Sequence, residues 1–176
     1  FYQCTQKDGK RCSAAKAYIG PCLERDNLTI LTDTNVNKIV IENKKAVGVE
    51  CIDKDGNYFI LKANKEVILS SGAFGSPQIM LRSGVGPRDE INKHGIEHLH
   101  ELPGVGKNLQ DHIDYLTVHR YDSIELIGMS LKSILFKFPI EILKYIFAKV
   151  GLFTSTVAEA GGFIKSKDGI QIPDIQ

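Results

Sequence analysis

The run Glu66-Val67-Ile68-Leu69-Ser70-Ser71-Gly72-Ala73-Phe74-Gly75-Ser76-Pro77 decides how the rest of the chain is read. Its first six residues are compactly apolar, the pattern of a strand covered on both faces. Small residues follow, and then Ser76 and Pro77 open a helix. Serine suits the N-cap, and proline suits the first helical position, where a missing N–H costs nothing. The spacing predicts a helix over residues 77–83, stopped by Gly84. Glycines let a backbone approach a ligand closely, and the first N–H groups of a helix attract anions. A nucleotide phosphate or adenine edge would sit beside Ser71, Gly72 and Ala73. A tight turn out of a buried strand explains the same letters, and the physics of the run alone favours that plainer reading.

Upstream, residues 36–62 read as a three-stranded antiparallel meander. Ile39 and Ile41 share one strand face, a polar turn covers residues 42–45, and Asp55-Gly56 marks a hairpin because Asp-Gly tolerates positive φ. Before it lie a short helix capped by Ser13, ending near Gly20-Pro21, and a brief apolar run, residues 28–31. Downstream, residues 89–94 predict a short helix ending at Gly95, and residues 100–112 a loop. A strand is expected over 113–121, a helical stretch over 130–149 broken at Pro139, and a last strand over 158–165. The fold class is α+β.

With 22 basic and 21 acidic residues among 176, the chain lacks the basic face that nucleic acid requires. No run of about 18 uncharged apolar residues encodes a membrane span. Cys4, Cys12, Cys22 and Cys51 form no C-x-x-C pair, and no histidine doublet lies near them, so no metal site is expected. Reduced thiols in a cytoplasmic protein are the favoured reading. The opening FYQCTQKDGKRC and the closing IPDIQ read as cut from something longer. Gly84-Val85-Gly86 and Gly104-Val105-Gly106 each lack the third glycine of a dinucleotide fingerprint, so any pyrophosphate loop is expected outside these residues.

The stretch GAFGSPQIMLRSGVG, residues 72–86, resembles the second signature of the glucose–methanol–choline (GMC) oxidoreductases at every specified position. LPGVGKNLQDH (residues 102–112), GKRCSAAKAYIGPCLERDNLTILTDTNVNKIVIENKKAVGVE before the signature, and GLFTSTVAEAGGFIKS near the end resemble further family blocks, in family order. The resemblance implies an internal fragment of an FAD enzyme that oxidises choline or a primary aliphatic alcohol by hydride transfer to flavin, with an electron acceptor. It assigns residues 1–112 to the middle of the FAD-binding domain, comprising the meander and a strand–loop–helix unit. Residues 113–176 go to part of an α+β substrate-binding domain. Val36 matches a family valine whose backbone meets the adenine, and Ser71, Gly72 and Ala73 match the loop beside the adenine and ribose. The family's catalytic histidine has no counterpart here, so no catalytic residue is assigned. A non-catalytic nucleotide-binding or structural module derived from the family is the alternative.

Of the five histidines, His94, His98 and His100 lie in a polar stretch and read as solvated, while Asp111-His112 matches a pair at the domain junction. The resemblance puts Asp114 at the position that faces a quaternary ammonium in choline-oxidising relatives. A carboxylate there can pair with a cation, and a solvated Asp114 is an even alternative. Residues 124–153, apolar with lysines at 132, 137, 144 and 149, fit either peripheral membrane contact or a helix pair covering the substrate domain; the second is favoured. The oligomeric state is not encoded in any pattern.

Overall fold

The computed structural model describes residues 4–119, 130–156 and 160–176. It is α+β and divides into two compact units: residues 29–116, and residues 1–28 with 117–176. In the second of these, β1 (Gln6–Lys7) and β2 (Lys10–Arg11) form a small antiparallel hairpin. A π-helical turn, Ala15–Ile19, and a 3-10 turn, Gly20–Cys22, follow, with Ser13 Oγ accepting the Lys16 N–H at 3.3 Å.

The unit of residues 29–116 is built on the meander. Strands β3 (Asn35–Glu42), β4 (Lys45–Ile52) and β5 (Tyr58–Lys62) are antiparallel and adjacent in chain order. Alternating apolar positions give one half-buried face, and the turns fix the register. Asn43 and Lys44 both take positive φ between the paired Glu42 and Lys45, the tight two-residue hairpin that matches strand twist. At the second hairpin Asp53 Oδ1 accepts the N–H groups of Asp55 and Asn57, each at 2.9 Å. The Asn57 amide, by side chain and then by backbone, holds the Asp53 carboxyl below the usual carboxylate range. Register shifts put bulges into β3 at Asn37 and into β4 at Val47, where an unpaired residue bends the strand. The run at residues 28–31 is irregular.

The expected strand over residues 66–71 does not form. The segment alternates, with Val67 and Leu69 half-buried and Ile68 79% exposed, but it joins no ladder among the described residues. A buried parallel strand needs neighbours on both sides, and no other described segment supplies them. Helix α1 (Gly72–Arg82) starts five residues earlier than the spacing predicted, with Ser71 at its N-cap. Ser76 is not the cap: its hydroxyl accepts the Ser71 N–H at 2.9 Å. Gly84, at φ +78, ends the helix as expected.

Beyond α1 the chain makes β6 (Val85–Gly86), α2 (Arg88–Lys93) and β7 (His100–Glu101), with β6 and β7 paired in parallel. Ile91 of α2 is 1% exposed and anchors this corner. Gly95 closes α2 at φ +66. Residues 113–119 were expected to be extended and paired; they are irregular, with Ile113, Tyr115, Leu116 and Val118 almost fully exposed. The reason is again the lack of a neighbouring strand among the described residues. The rest of that expected strand, Arg120 and Tyr121, lies outside the described residues.

In the other unit Pro139 does not break the helical stretch. Residues 133–137 form a π-turn, Ser133–Lys137, and α3 (Phe138–Ala148) continues with Pro139 in its first turn. A proline ring clashes with the carbonyl four residues back in an α-helix, and a π-turn widens the backbone at that point. Lys149 then takes the left-handed conformation, at φ +57. The Phe153 ring packs against Phe138 and Tyr145, with centroids 6.1 and 6.3 Å away. Of the last expected strand, residues 158 and 159 lie outside the described residues, and the remainder holds one bridge, Ile164 to Ile175.

Glu141 fastens the end of α3. Its carboxylate accepts from Lys144 Nζ and from the Leu152 N–H, each at 2.7 Å. These two contacts, the lysine first, hold it below the usual carboxylate range. The fold therefore binds the charged form, and the stability gained is present at neutral pH and lost as pH falls through the lowered value. Glu141→Gln is expected to flatten the acid limb of the stability profile of this unit. Thermal melts followed by circular dichroism at neutral and acid pH check this.

Candidate functional site

Ser71, Gly72 and Ala73 lie at the start of α1 and are all exposed. The local sequence makes this possible in three ways. Gly72 takes φ +79, and a Cβ built on it would meet nothing within 4 Å. Its glycine character thus answers the backbone conformation and not crowding by neighbours in the chain. Gly75 leaves room for the Ser71 side chain, since a Cβ there would stand 2.9 Å from Ser71 Cβ. Ser76 takes up the Ser71 N–H and the Ser71 carbonyl, at the N-cap, accepts the first intrahelical bond, so what Ser71 offers a ligand is its hydroxyl. The following N–H groups belong to the first helical turn, which leaves donors without intrahelical acceptors and carries a partial positive charge. An open backbone ledge of this kind fits the edge of a nucleotide base or a phosphate. Phe74 beside it is 78% exposed and Ile68 before it 79%, so the ledge is bordered by uncovered apolar surface.

Val36 lies on β3, paired with Cys51 immediately before the bulge at Asn37, and is 37% exposed. Side-chain hydrogen bonds to β3 come from the far end of the helix. Arg82 Nη2 donates to Asn37 Oδ1, and Ser83 Oγ accepts the Ile39 N–H at 2.8 Å while donating to the Ile79 carbonyl at 2.6 Å. At about 1.5 Å of rise per residue, the ledge at Gly72 lies roughly 15 Å along α1 from that anchor. Val36 and the ledge are thus held on one scaffold but at separate points of it. Asp114 is exposed in the irregular segment after His112. Asn37, Arg82 and Ser83, which set the helix on the sheet, were not singled out by sequence, because a bulge leaves no periodic mark. They line a groove of about 560 Å³ along β3 with Ile39, Glu97 and Leu99, and none of the expected cofactor residues does.

His98 corrects the sequence reading. Expected at the surface with His94 and His100, it has a side chain only 5% exposed. His94 is exposed as expected, its Nε2 3.8 Å from Glu90 Oε1. No helix among the described residues is long and apolar enough to cross a membrane.

The family model for GMC oxidoreductases matches residues 1–114, well over half of the chain. The chain belongs to the GMC oxidoreductase family. Among its GMC relatives is an alcohol dehydrogenase (acceptor) of Pseudomonas putida, 42% identical over 177 residues, which takes in 100% of this chain and 32% of the relative. An oxygen-dependent choline dehydrogenase of Pseudomonas savastanoi pv. phaseolicola is 40% identical over 170 residues, covering 96% of this chain and 30% of that protein. The chain therefore spans about a third of the length of these curated relatives. The fold is shared with an FAD-dependent oxidoreductase from Chaetomium thermophilum, with a TM-score of 0.68 and 30% identity, over 84% of this chain and 26% of that one.

Proposed function

We propose that this chain forms part of an FAD-dependent oxidoreductase that oxidises a CH–OH group, in choline or a primary aliphatic alcohol, to the aldehyde. The observation that carries the reading is the open ledge at Gly72, within a sequence that matches the GMC family over residues 1–114. Ser71, Gly72 and Ala73 hold the adenine end of FAD, with the Val36 backbone as a further contact. Bound FAD would supply the hydride acceptor, with a separate electron acceptor completing the oxidation. The residues of this chain bind and orient; the base that takes the hydroxyl proton belongs to the remainder of the protein. Residues 1–112 belong to the FAD-binding domain and 113–176 to the substrate-binding domain. The segments at 66–71 and 113–119, which join no ladder among the described residues, then pair with strands contributed by that remainder. We place the protein in the cytoplasm, with peripheral membrane contact through the lysine-bearing helical stretch as a further property.

Asp114 faces the substrate in this reading and pairs with a quaternary ammonium group. In full-length protein, Asp114→Asn is expected to lower kcat/KM for choline roughly ten-fold, about the worth of one partly screened ion pair. The value for a neutral primary alcohol should stay within about two-fold, since no charge is there to pair. Equal losses on both substrates would remove Asp114 from the substrate site. The 176-residue chain assayed alone is expected to show no turnover.

A further inference from the structure

We infer that Ser83, with the Asn37–Arg82 pair beside it, is a positioning residue for the cofactor, setting the spacing between the ledge on α1 and the Val36 backbone on β3. This rests on the functional reading above, in which the adenine end of FAD touches both places. They lie on different elements, so a rigid ligand edge meets both only if helix and strand are fixed against each other beforehand. Ser83 is 5% exposed and stands at the end of α1. Its hydroxyl hydrogen is committed to the Ile79 carbonyl at 2.6 Å, so the oxygen is left as an acceptor. It takes the Ile39 N–H of β3 at 2.8 Å. Strand β3 is at the edge of its sheet, and this bond occupies a donor that an edge otherwise leaves open.

A second tie runs through the bulge. Asn37 leaves the ladder between Val36, paired with Cys51, and Lys38, paired with Glu50. Its side-chain amide donates to Glu50 Oε1, and its oxygen accepts from Arg82 Nη2. Glu50 Oε2 also stands 3.6 Å from Lys38 Nζ. The residue next to Val36 is thus held by β4 on one side and by α1 on the other, which fixes how the bulge bends the strand there. Among the described residues no hydrogen bond joins residues 66–78 to the sheet. The end of α1 is therefore where the helix is hydrogen-bonded to the meander. At about 1.5 Å of rise per residue, a tilt of about 5° there moves the ledge by about 1 Å against Val36. A displacement of about 1 Å is enough to spoil a preorganised site.

Equilibrium dialysis of FAD against full-length protein tests this role. Ser83→Ala should bind FAD roughly ten-fold more weakly, the effect of one buried hydrogen bond removed. Arg82→Met changes an exposed side chain, should keep the fold and should lose roughly three-fold, as for an exposed polar contact. Ser83→Thr keeps the hydroxyl, beside a groove with room for a methyl, and should bind as the parent does. With FAD in excess, kcat of Ser83→Ala and Arg82→Met on the alcohol the parent oxidises should stay within about two-fold, since neither residue touches the reacting atoms. Parent-like FAD affinity in both variants would overturn the positioning role. So would kcat falling in step with affinity, or a folded Ser83→Thr protein binding as weakly as Ser83→Ala. A parent protein that takes up no FAD would contradict the functional reading itself, and the positioning role falls with it.

Discussion

Replacing Gly84 with alanine is expected to destabilise the unit of residues 29–116 by about 3 kcal/mol or more, from two penalties that do not relieve one another. The first is conformational. Gly84 sits at φ +78, and a side chain in the left-handed region costs about 1–2 kcal/mol. The second is steric. A Cβ at this position would stand 2.3 Å from the Glu97 carbonyl oxygen and 2.9 Å from Leu99 Cγ. The oxygen belongs to backbone and cannot swing aside, and overpacking of this kind adds about 1–3 kcal/mol. The Gly84 carbonyl also receives the Leu99 and His100 N–H groups, so moving it disturbs the bonds beside the β6–β7 pair. Since a domain is held by only about 5–15 kcal/mol, the midpoint of urea unfolding should fall clearly at unchanged slope.

Gly48→Val is the second large effect, and its cause is sterics alone. Gly48 of β4 pairs with Lys62 of β5 and is buried. An added Cβ would lie 2.3 Å from the Leu61 carbonyl oxygen and 3.2 Å from Lys62 Cα. Both atoms are backbone, so the strands must separate next to the bulge at Val47. About 2–3 kcal/mol of lost stability is expected, with exchange rising first at Ala63, whose N–H donates to the Val47 carbonyl at 2.8 Å. A variant with unchanged stability would mean that β4 and β5 part more freely than this register allows.

These two glycines show what the sequence could and could not say. The meander was legible because alternation and turn chemistry are local: Asp53, Gly56 and the Asn43-Lys44 pair fix each hairpin within a few residues. The stop at Gly84 and the short α2 were legible for the same reason. Residues 66–71 were read as a strand from their apolar run and 113–121 from their alternation, yet a strand exists only by pairing, and no partner for 66–71 or 113–119 stands among the described residues. The glycine loop was misread in its bounds because Gly72 and Ala73 already form the first turn of α1, with Ser76 bonded backwards to Ser71. The burial of His98 escaped notice because Glu97 and His100 around it are exposed; only the fold brings Gly86 and Glu101 to its ring. Ser83 and Asn37 act through a bulge and a helix end, which no periodic pattern announces.

For the proposed function, these observations separate two kinds of glycine. Gly84 and Gly48 are crowded by the chain itself, whereas Gly72 is surrounded by open space. Gly56, at φ +85 and also with nothing within 4 Å of an added Cβ, shares the conformation of Gly72 but sits on the hairpin of the meander. Alanine at either position carries the same strain of about 1–2 kcal/mol, so the pair distinguishes ligand contact from strain. The most direct measurement is the FAD affinity of full-length protein carrying Gly72→Ala, set against Gly56→Ala and the parent. The account predicts a loss of at least about ten-fold for Gly72→Ala, the cost of roughly 1.4 kcal/mol of obstructed approach, and parent-like binding for Gly56→Ala. Equal affinities for all three, or equal losses in both variants, would contradict a cofactor ledge at Gly72.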